Sequence, residues 1–312
     1  MLARMTNAST GRAALAPMLA VLGAAALALG PLAPRALPHA GAGLCHVPEP
    51  VVSLSTPSKI DVGDPAKASD GTSAGDRAAM LRPVRAAVRS IAEAAEGDGD
   101  TRACAAHALA GWARAGALTD MRGKDANLTR GRLAGELLVA AVRLDERDAF
   151  SPRDRAAVGR WANRLARQTV LFFEHGAGEA SRGNNHRQWA ALAVGAAGRL
   201  TGDPMQLAWA RESANVALCA VTADGFLPAE LARGRRAWRY HRYALRPLRA
   251  LDALGAWDGA PAPCADGLER LARVAARSDL VAVSTGIAQD GAADERTFSP
   301  ALRLADQPPE AL

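Results

Sequence analysis

The chain has 312 residues, of which 49% are hydrophobic, 22% are charged and only 4% are aromatic, and its formal net charge is +6. Its many alanines and its lack of β-branched runs exclude an ordinary β-sandwich and favour a helical protein. The length is sufficient for one large domain or two small ones, and the modest positive charge is compatible with an anionic ligand.

The first forty residues, 1–40, have the pattern of an export signal. Arg4 and Arg12 form a basic start, residues 13–32 are an almost uncharged apolar run, and small residues follow. This order predicts a cleaved signal peptide and a periplasmic protein with no stable membrane insertion. The alternatives are a transmembrane anchor, for which the run is long enough, and a lipid anchor at Cys45, which the preceding residues support poorly.

Residues 41–75 contain many Pro, Ser, Asp and Gly residues, and they predict an extended loop with one short strand at 51–54. Helical patterns then fill most of residues 76–312. The predicted helices are 76–95, 101–115, 130–144, 151–173, 186–200, 205–221, 235–254 and 268–283. Pro247 must kink or break the helix that contains it, and residues 285–312 are expected to be irregular.

Short polar connections between these helices favour antiparallel helix pairs. Such pairs can form a bundle, a solenoid or a toroid. The absence of a repeat of fixed length in the sequence disfavours a tetratricopeptide or HEAT array.

Four cysteines, an even number, fit an oxidising compartment and suggest two disulfides. They are Cys45, Cys104, Cys219 and Cys264. A disulfide at Cys45 would tie the N-terminal segment to the first helices, and the pairing is left open. No two cysteines have CxxC spacing, so a zinc site is not expected. The alternative is four buried free thiols.

Two polar clusters carry the candidate chemistry. The first is Asn184-Asn185-His186, which precedes an alanine-rich helix and could also serve only as its N-cap. The second is a basic segment, 230–245, that contains both tyrosines of the chain, Tyr240 and Tyr243. Since the tyrosines are three residues apart, they share a face of a helix. The alternative for this segment is a solvated cationic face.

The two clusters resemble a known family. The segment 183–191, Gly-Asn-Asn-His-Arg-Gln-Trp-Ala-Ala, is similar to the Asn-Asn-His-x-x-Trp-Ala-Ala motif of the mannuronate-specific alginate lyases of polysaccharide lyase family 5. The segment 230–248 resembles the second motif of that family, with its Arg-Gly, Tyr-His-x-Tyr and Pro-Leu elements. Residues 45–70 are similar to the family's flexible lid. The resemblance implies an all-α fold, an incomplete (α/α) toroid of antiparallel helix pairs with an N-terminal lid loop.

The resemblance also implies roles for residues of both motifs. Tyr240 matches the catalytic base and acid, and Arg233 matches the arginine that stabilises charge beside it. Asn185 and His186 match the residues that neutralise the uronate carboxylate. The further residues expected to contact substrate are Trp189, Lys67, His241 and Tyr243. Lys67 could equally be an ordinary surface lysine.

The chemistry of the residues favours the same roles. Hydrogen bonds to a uronate carboxylate stabilise the enolate-like intermediate, and a cation beside a phenol favours the phenolate that acts as base. This route needs no metal and no cofactor.

We therefore expect a signal peptide at 1–40, an extended segment and lid loop at 41–75, and a catalytic domain at 76–312. The expected activity is β-elimination of poly-β-D-mannuronate, an anionic polysaccharide, by a monomer that binds no nucleic acid. Two alternatives stay open. One is a lyase for another uronate polymer, which the departures from the family pattern at Arg187, Gln188 and Arg239 motivate, and the other is a polysaccharide-binding scaffold without catalysis.

Overall fold

Helices account for nearly all of the regular structure in the part of the chain that the computed structural model describes, namely residues 47–56, 74–256, 264, 266–291 and 295–303. All of these residues belong to the unit formed by residues 41–312. The predicted signal peptide and Lys67 lie outside the described residues.

The longer helices occur in chain order with short connections. They are α1 Ala74–Ala95, α2 Gly99–Ala115, α3 Lys124–Glu146, α4 Pro152–Leu171, α6 Asn185–Thr201, α7 Pro204–Cys219, α9 Ala237–Ala253, α10 Asp266–Ala276 and α11 Ser278–Thr285. The short helices are α5 Glu179–Arg182, α8 Pro228–Leu231 and α12 Pro300–Arg303, and a π-helical turn at Phe172–Gly176 extends α4. The two strands are β1 Ser53–Ser55 and β2 Asp120–Arg122.

The helices form an incomplete α/α toroid, which confirms the predicted fold class. The alanine-rich helix α6 contacts α3, α4, α7 and α9, and most of its side chains are buried. Neighbouring helices in the chain contact each other, as α1 and α2 or α9 and α10 do. The core therefore surrounds α6, and residues at the N-terminus of α6 are held by the rest of the fold.

Capping residues explain several helix starts that the sequence predicted. Ser151 accepts a hydrogen bond from the backbone N–H of Asp154, and Pro152 occupies the first turn of α4. Asp203 caps α7 in the same way, ahead of Pro204. These polar side chains satisfy backbone donors that have no partner inside the helix.

Two helical predictions need correction. The helix predicted at 268–283 is two helices, α10 and α11, with the backbone of Arg277 extended between them. Pro247 lies inside α9, which continues to Ala253. Pro247 removes only the hydrogen bond to the carbonyl of Tyr243, and packing of α9 against α6 and α10 keeps the helix continuous.

The segments at both ends of the described chain form tertiary contacts that were not predicted. The strand expected at 51–54 is found at Ser53–Ser55 as β1, and it pairs in parallel with β2, a strand that was not predicted. Residues 295–303, expected to be irregular, contain a 3₁₀ turn and α12, and Phe298 is almost fully buried. Tertiary contacts rather than local propensity order both segments.

One disulfide joins Cys219, at the end of α7, to Cys264, which precedes α10. Described cysteines include no free thiol, so the alternative of four free thiols is wrong. Cys45 lies outside the described residues, and its bond remains a prediction. Within the described residues, no helix has the length and apolar character needed to cross a membrane.

His241 is part of the fold rather than of a surface. It is fully buried in α9, and its Nε2 accepts a hydrogen bond of 3.0 Å from the backbone N–H of Leu227. Its Nδ1 lies 2.8 Å from the carbonyl oxygen of Ala237, to which it donates. Burial lowers the pKa of His241 below its ordinary value. The neutral ring therefore fastens the segment before α8 to α9.

Close approach of α3 to α6 depends on glycine. A side chain carbon at Gly131 would lie 3.2 Å from the backbone nitrogen of Ala190 in α6. Gly111 in α2 is different, because a carbon added there would meet no atom within 4 Å. Both glycines are inside helices, so they differ mainly in packing.

We expect Gly131→Val to lower the free energy of unfolding by about 1–3 kcal/mol, because the added carbons force α3 away from the backbone of α6. The matched variant Gly111→Val should change this free energy by no more than about 0.5 kcal/mol. Urea denaturation followed by circular dichroism measures both values. Equal effects of the two substitutions would contradict the proposed close contact between α3 and α6.

We also expect the stability to depend on the charge of His241. Since its pKa is lower in the folded state, the unfolded state binds more protons below about pH 6.5, and the free energy of unfolding falls as the pH falls. Between about pH 7 and pH 5, the wild type should lose up to about 1.4 kcal/mol per pH unit more than His241→Gln. Urea titrations at several pH values measure the two slopes, and parallel slopes would show that His241 is not buried in its neutral form.

Candidate active site

One cavity of about 340 Å³ lies where the N-terminus of α6 meets the first half of α9. Its lining includes eight arginines: Arg77, Arg85, Arg132, Arg233, Arg236, Arg239, Arg242 and Arg246. Among the described lining residues, Asp125 is the only acid, and it forms an ion pair of 3.0 Å with Arg77. The cavity is therefore strongly positive and suits an anionic ligand.

Tyr240 is in the first turn of α9, and its half-buried side chain lines the cavity. The guanidinium carbon of Arg233 lies 4.9 Å from the centre of the Tyr240 ring. Arg233 is held on its other side by Glu230, whose Oε2 accepts a hydrogen bond of 3.3 Å from the Arg233 Nε. A phenol and a positive charge thus lie side by side at the cavity surface.

Asn185 and His186 form the first turn of α6, and both line the cavity. The N-cap is the preceding residue, Asn184, whose Oδ1 accepts a hydrogen bond of 3.0 Å from the backbone N–H of His186. The amide of Asn185 has another partner, since its Nδ2 donates to Glu230 Oε1 at 2.8 Å. The helix cap and the candidate site therefore use different asparagines.

The opposite wall of the cavity is built around Arg132, which donates hydrogen bonds of 2.8 Å to the Glu136 carboxylate and to the carbonyl of Thr297. Its guanidinium carbon lies 4.3 Å from the centre of the Phe298 ring. Burial acts to lower the pKa of Arg132, but Glu136 and Tyr243 raise it above its ordinary value. Burial raises the pKa of Tyr243, against the effect of Arg132. This wall presents a charged guanidinium and a neutral phenol.

The four predicted substrate contacts have four different outcomes. Tyr243 lines the cavity as expected. Trp189 is 1% exposed and lies behind the lining, with its ring centre 5.1 Å from that of Tyr243 and 6.3 Å from that of Phe298. His241 is buried with both ring nitrogens bonded to the backbone, so it has no atom available for a ligand. Lys67 is outside the described residues.

Several lining residues were not predicted as site residues from the sequence. Arg77 and Arg85 are eight residues apart and share one face of α1, which is a detectable signal of a common surface. Phe298 belongs to a segment without helical or strand periodicity, and no sequence signal marked it. Glu230 was visible inside the second motif, but only the structure shows that it contacts both Asn185 and Arg233.

A family model described as alginate lyase matches residues 65–260, which is more than half of the chain. Alginate lyases of Cobetia marina and Pseudomonas aeruginosa are 33% and 35% identical to the chain over 164 and 167 residues. These stretches are 50% and 52% of this chain but only 42% and 45% of the two relatives. The match thus spans less than half the length of either relative.

Solved structures show the same fold. Alginate lyase A1-III from Sphingomonas species A1 superposes with a TM-score of 0.61 and 19% identity over 78% of this chain and 72% of that chain. A variant of alginate lyase A1-III complexed with a tetrasaccharide gives a TM-score of 0.56 over 69% of this chain and 63% of its own. At 19% identity these matches support the toroid and not the chemistry. The match to the family model places the chain in the alginate lyase family.

Proposed function

We propose that this protein is a polysaccharide lyase that cleaves alginate by β-elimination at mannuronate residues. The observation that carries the proposal is the cavity in which Tyr240, Arg233, Asn185 and His186 meet. These residues come from both motifs that resemble the mannuronate-specific family. The names of the relatives, alginate lyases, agree with the proposed substrate.

The first requirement of the reaction is to make the C5 proton of a uronate acidic. A charged carboxylate on C5 opposes the loss of this proton, because the intermediate would carry two negative charges. Asn185 and His186 line the cavity, and in the proposed reaction they neutralise the carboxylate through hydrogen bonds that strengthen as charge develops on its oxygens.

The second requirement is a base for the C5 proton and an acid for the leaving oxygen on C4. In mannuronate, the C5 proton and the C4 oxygen are on the same face of the sugar. Tyr240 can therefore accept the proton as a phenolate and return it to the leaving oxygen. The guanidinium of Arg233, 4.9 Å from the ring centre, stabilises negative charge on the phenolate. The product carries a double bond between C4 and C5 at its new non-reducing end.

The arginines of the cavity supply the attraction for a polyanion. Arg77, Arg85 and Arg132 extend the positive surface from α9 to the helices α1 and α3. Arginine forms paired hydrogen bonds with carboxylates, and each uronate unit has one carboxylate. We infer that neighbouring units of the polymer bind along this wall.

Export fits the proposed role, since alginate is an extracellular polymer. The basic and apolar pattern of residues 1–40 supports a signal peptide and a periplasmic location. We also propose that the protein acts as a monomer.

A second substrate is favoured by one specific feature, the cluster of Arg236, Arg239 and Arg242 at the cavity. This cluster provides more positive charge than the four motif residues require, and it could select a different uronate polymer. A panel of polymannuronate, polyguluronate, glucuronan and glycosaminoglycans, scored by ultraviolet absorbance of the unsaturated product, distinguishes these substrates.

We expect Tyr240→Phe to lower kcat on polymannuronate by at least about 100-fold, because the variant has no group to accept the C5 proton. Tyr243→Phe is the matched control, since it removes the hydroxyl of a neighbouring tyrosine whose ring lies 6.4 Å away between centroids. Its loss of kcat should be much smaller. The rate of increase in ultraviolet absorbance measures both.

The outcome separates the three hypotheses. Full activity of Tyr240→Phe would overturn the proposed role of Tyr240. A wild type that binds polymannuronate without producing unsaturated ends would favour the non-catalytic scaffold. A wild type that neither binds nor cleaves polymannuronate, but cleaves another polymer of the panel, would assign that polymer as substrate.

A further inference from the structure

Glu230 is a buried carboxylate between the two motifs of the candidate site. It lies in α8, its side chain is 1% exposed, and it is not part of the cavity lining. We propose that Glu230 is a positioning residue, which orients Asn185 and Arg233 for the elimination step through one shared carboxylate. This inference rests on the proposed function and adds a residue that does not touch the substrate.

One oxygen of Glu230 fixes the start of α6. Its Oε1 accepts two hydrogen bonds from Asn185, one of 3.0 Å from the backbone N–H and one of 2.8 Å from Nδ2. Because a carboxylate oxygen accepts hydrogen bonds, the amide must turn its nitrogen toward Glu230. Asn185 is then held by two bonds, and rotation of its amide would break one of them.

The orientation leaves defined atoms of Asn185 for a ligand. The Oδ1 of Asn185 is buried and has no hydrogen-bond partner among the described residues, and Nδ2 keeps one hydrogen that Glu230 does not use. A buried acceptor without a partner is costly. In the proposed complex a sugar hydroxyl would donate to Oδ1, and the remaining hydrogen of Nδ2 would bind the carboxylate, which has no donor of its own.

The other oxygen of Glu230 fixes Arg233. Its Oε2 accepts a hydrogen bond of 3.3 Å from the Nε of Arg233, so the two terminal nitrogens of the guanidinium are left for the cavity. The same guanidinium lies over the ring of Tyr240 at 4.9 Å. A shift of Glu230 would therefore move the group that neutralises the substrate carboxylate and the group that stabilises the base.

The alternative is that Glu230 only holds α8 and α6 together. The two accounts differ in what they require of the side chain. A purely structural link requires shape and hydrogen-bond acceptors, which glutamine supplies in part. A positioning role requires the negative charge, because the amide nitrogen of glutamine would face the Nε–H of Arg233 and repel it.

The experiment compares Glu230→Gln, Glu230→Asp and the control Glu146→Gln in steady-state assays on the polymer that the wild type cleaves, with melting temperatures measured in parallel. Glu146 is half-exposed, and it pairs with Arg199 at the far end of α3 and α6. The control should retain the kcat of the wild type within about twofold, as expected for a weak surface ion pair.

For Glu230→Gln we expect a fall in kcat of about 10- to 100-fold with KM changed by less than about threefold, since the lost interaction acts in the transition state. Glu230→Asp is shorter, so it should be the less stable variant, yet it should keep a higher kcat because it keeps the charge. If kcat instead follows the melting temperature, so that Glu230→Gln has a higher kcat than Glu230→Asp, the positioning role is overturned.

A double-mutant cycle provides the second readout. In an Arg233→Ala background, Glu230→Gln should lower kcat by less than about threefold, because glutamine keeps an oxygen acceptor for Asn185 and the lost charge acts on Arg233, which is already absent. Additive losses would overturn the inference. If the wild type and Glu230→Gln cleave the polymer equally well, this role alone is overturned. A wild type inactive on every polymer tested would overturn the proposed function and this role with it.

Discussion

One buried carboxylate connects the two parts of the candidate site. The bonds from Glu230 reach Asn185, 45 residues earlier in the chain, and Arg233, three residues later. The first partner belongs to the start of the central helix α6, and the second stands over Tyr240 at the start of α9. The two motifs are therefore joined by this contact and by the packing of α6 against α9.

The rest of the cavity is a concentration of positive charge, whose repulsion the fold must offset. Burial, with a further contribution from Arg132, lowers the pKa of Arg85. Arg132 itself is stabilised by Glu136 and by the faces of Trp189 and Phe298. Aromatic rings and one buried acid therefore offset part of the repulsion between guanidinium groups. An anionic ligand would reduce the remaining repulsion, which links the electrostatics of the cavity to its proposed substrate.

Local sequence signals predicted the helices and the candidate site residues well where contacts between residues close in the chain decide the structure. The helices predicted at 151–173 and 205–221 are α4 and α7, which Ser151 and Asp203 cap, and the tyrosine spacing placed Tyr240 and Tyr243 on one side of α9. Predictions failed where a distant contact decided the outcome. His241 resembled a site residue by its position beside Tyr240, but its place on the helix turns it toward the buried backbone of Leu227.

By itself, the sequence determined the all-helical class, most helix boundaries, the two polar motifs and the family to which they are similar. These depend on periodicity, capping and residue identity within short windows, which a single chain displays directly. Only the tertiary structure decided that Arg85, Arg132 and Phe298 share a cavity with the motifs, and that Glu230 bonds to both. The physical reason is that helix packing, and not chain proximity, sets which side chains meet across the toroid.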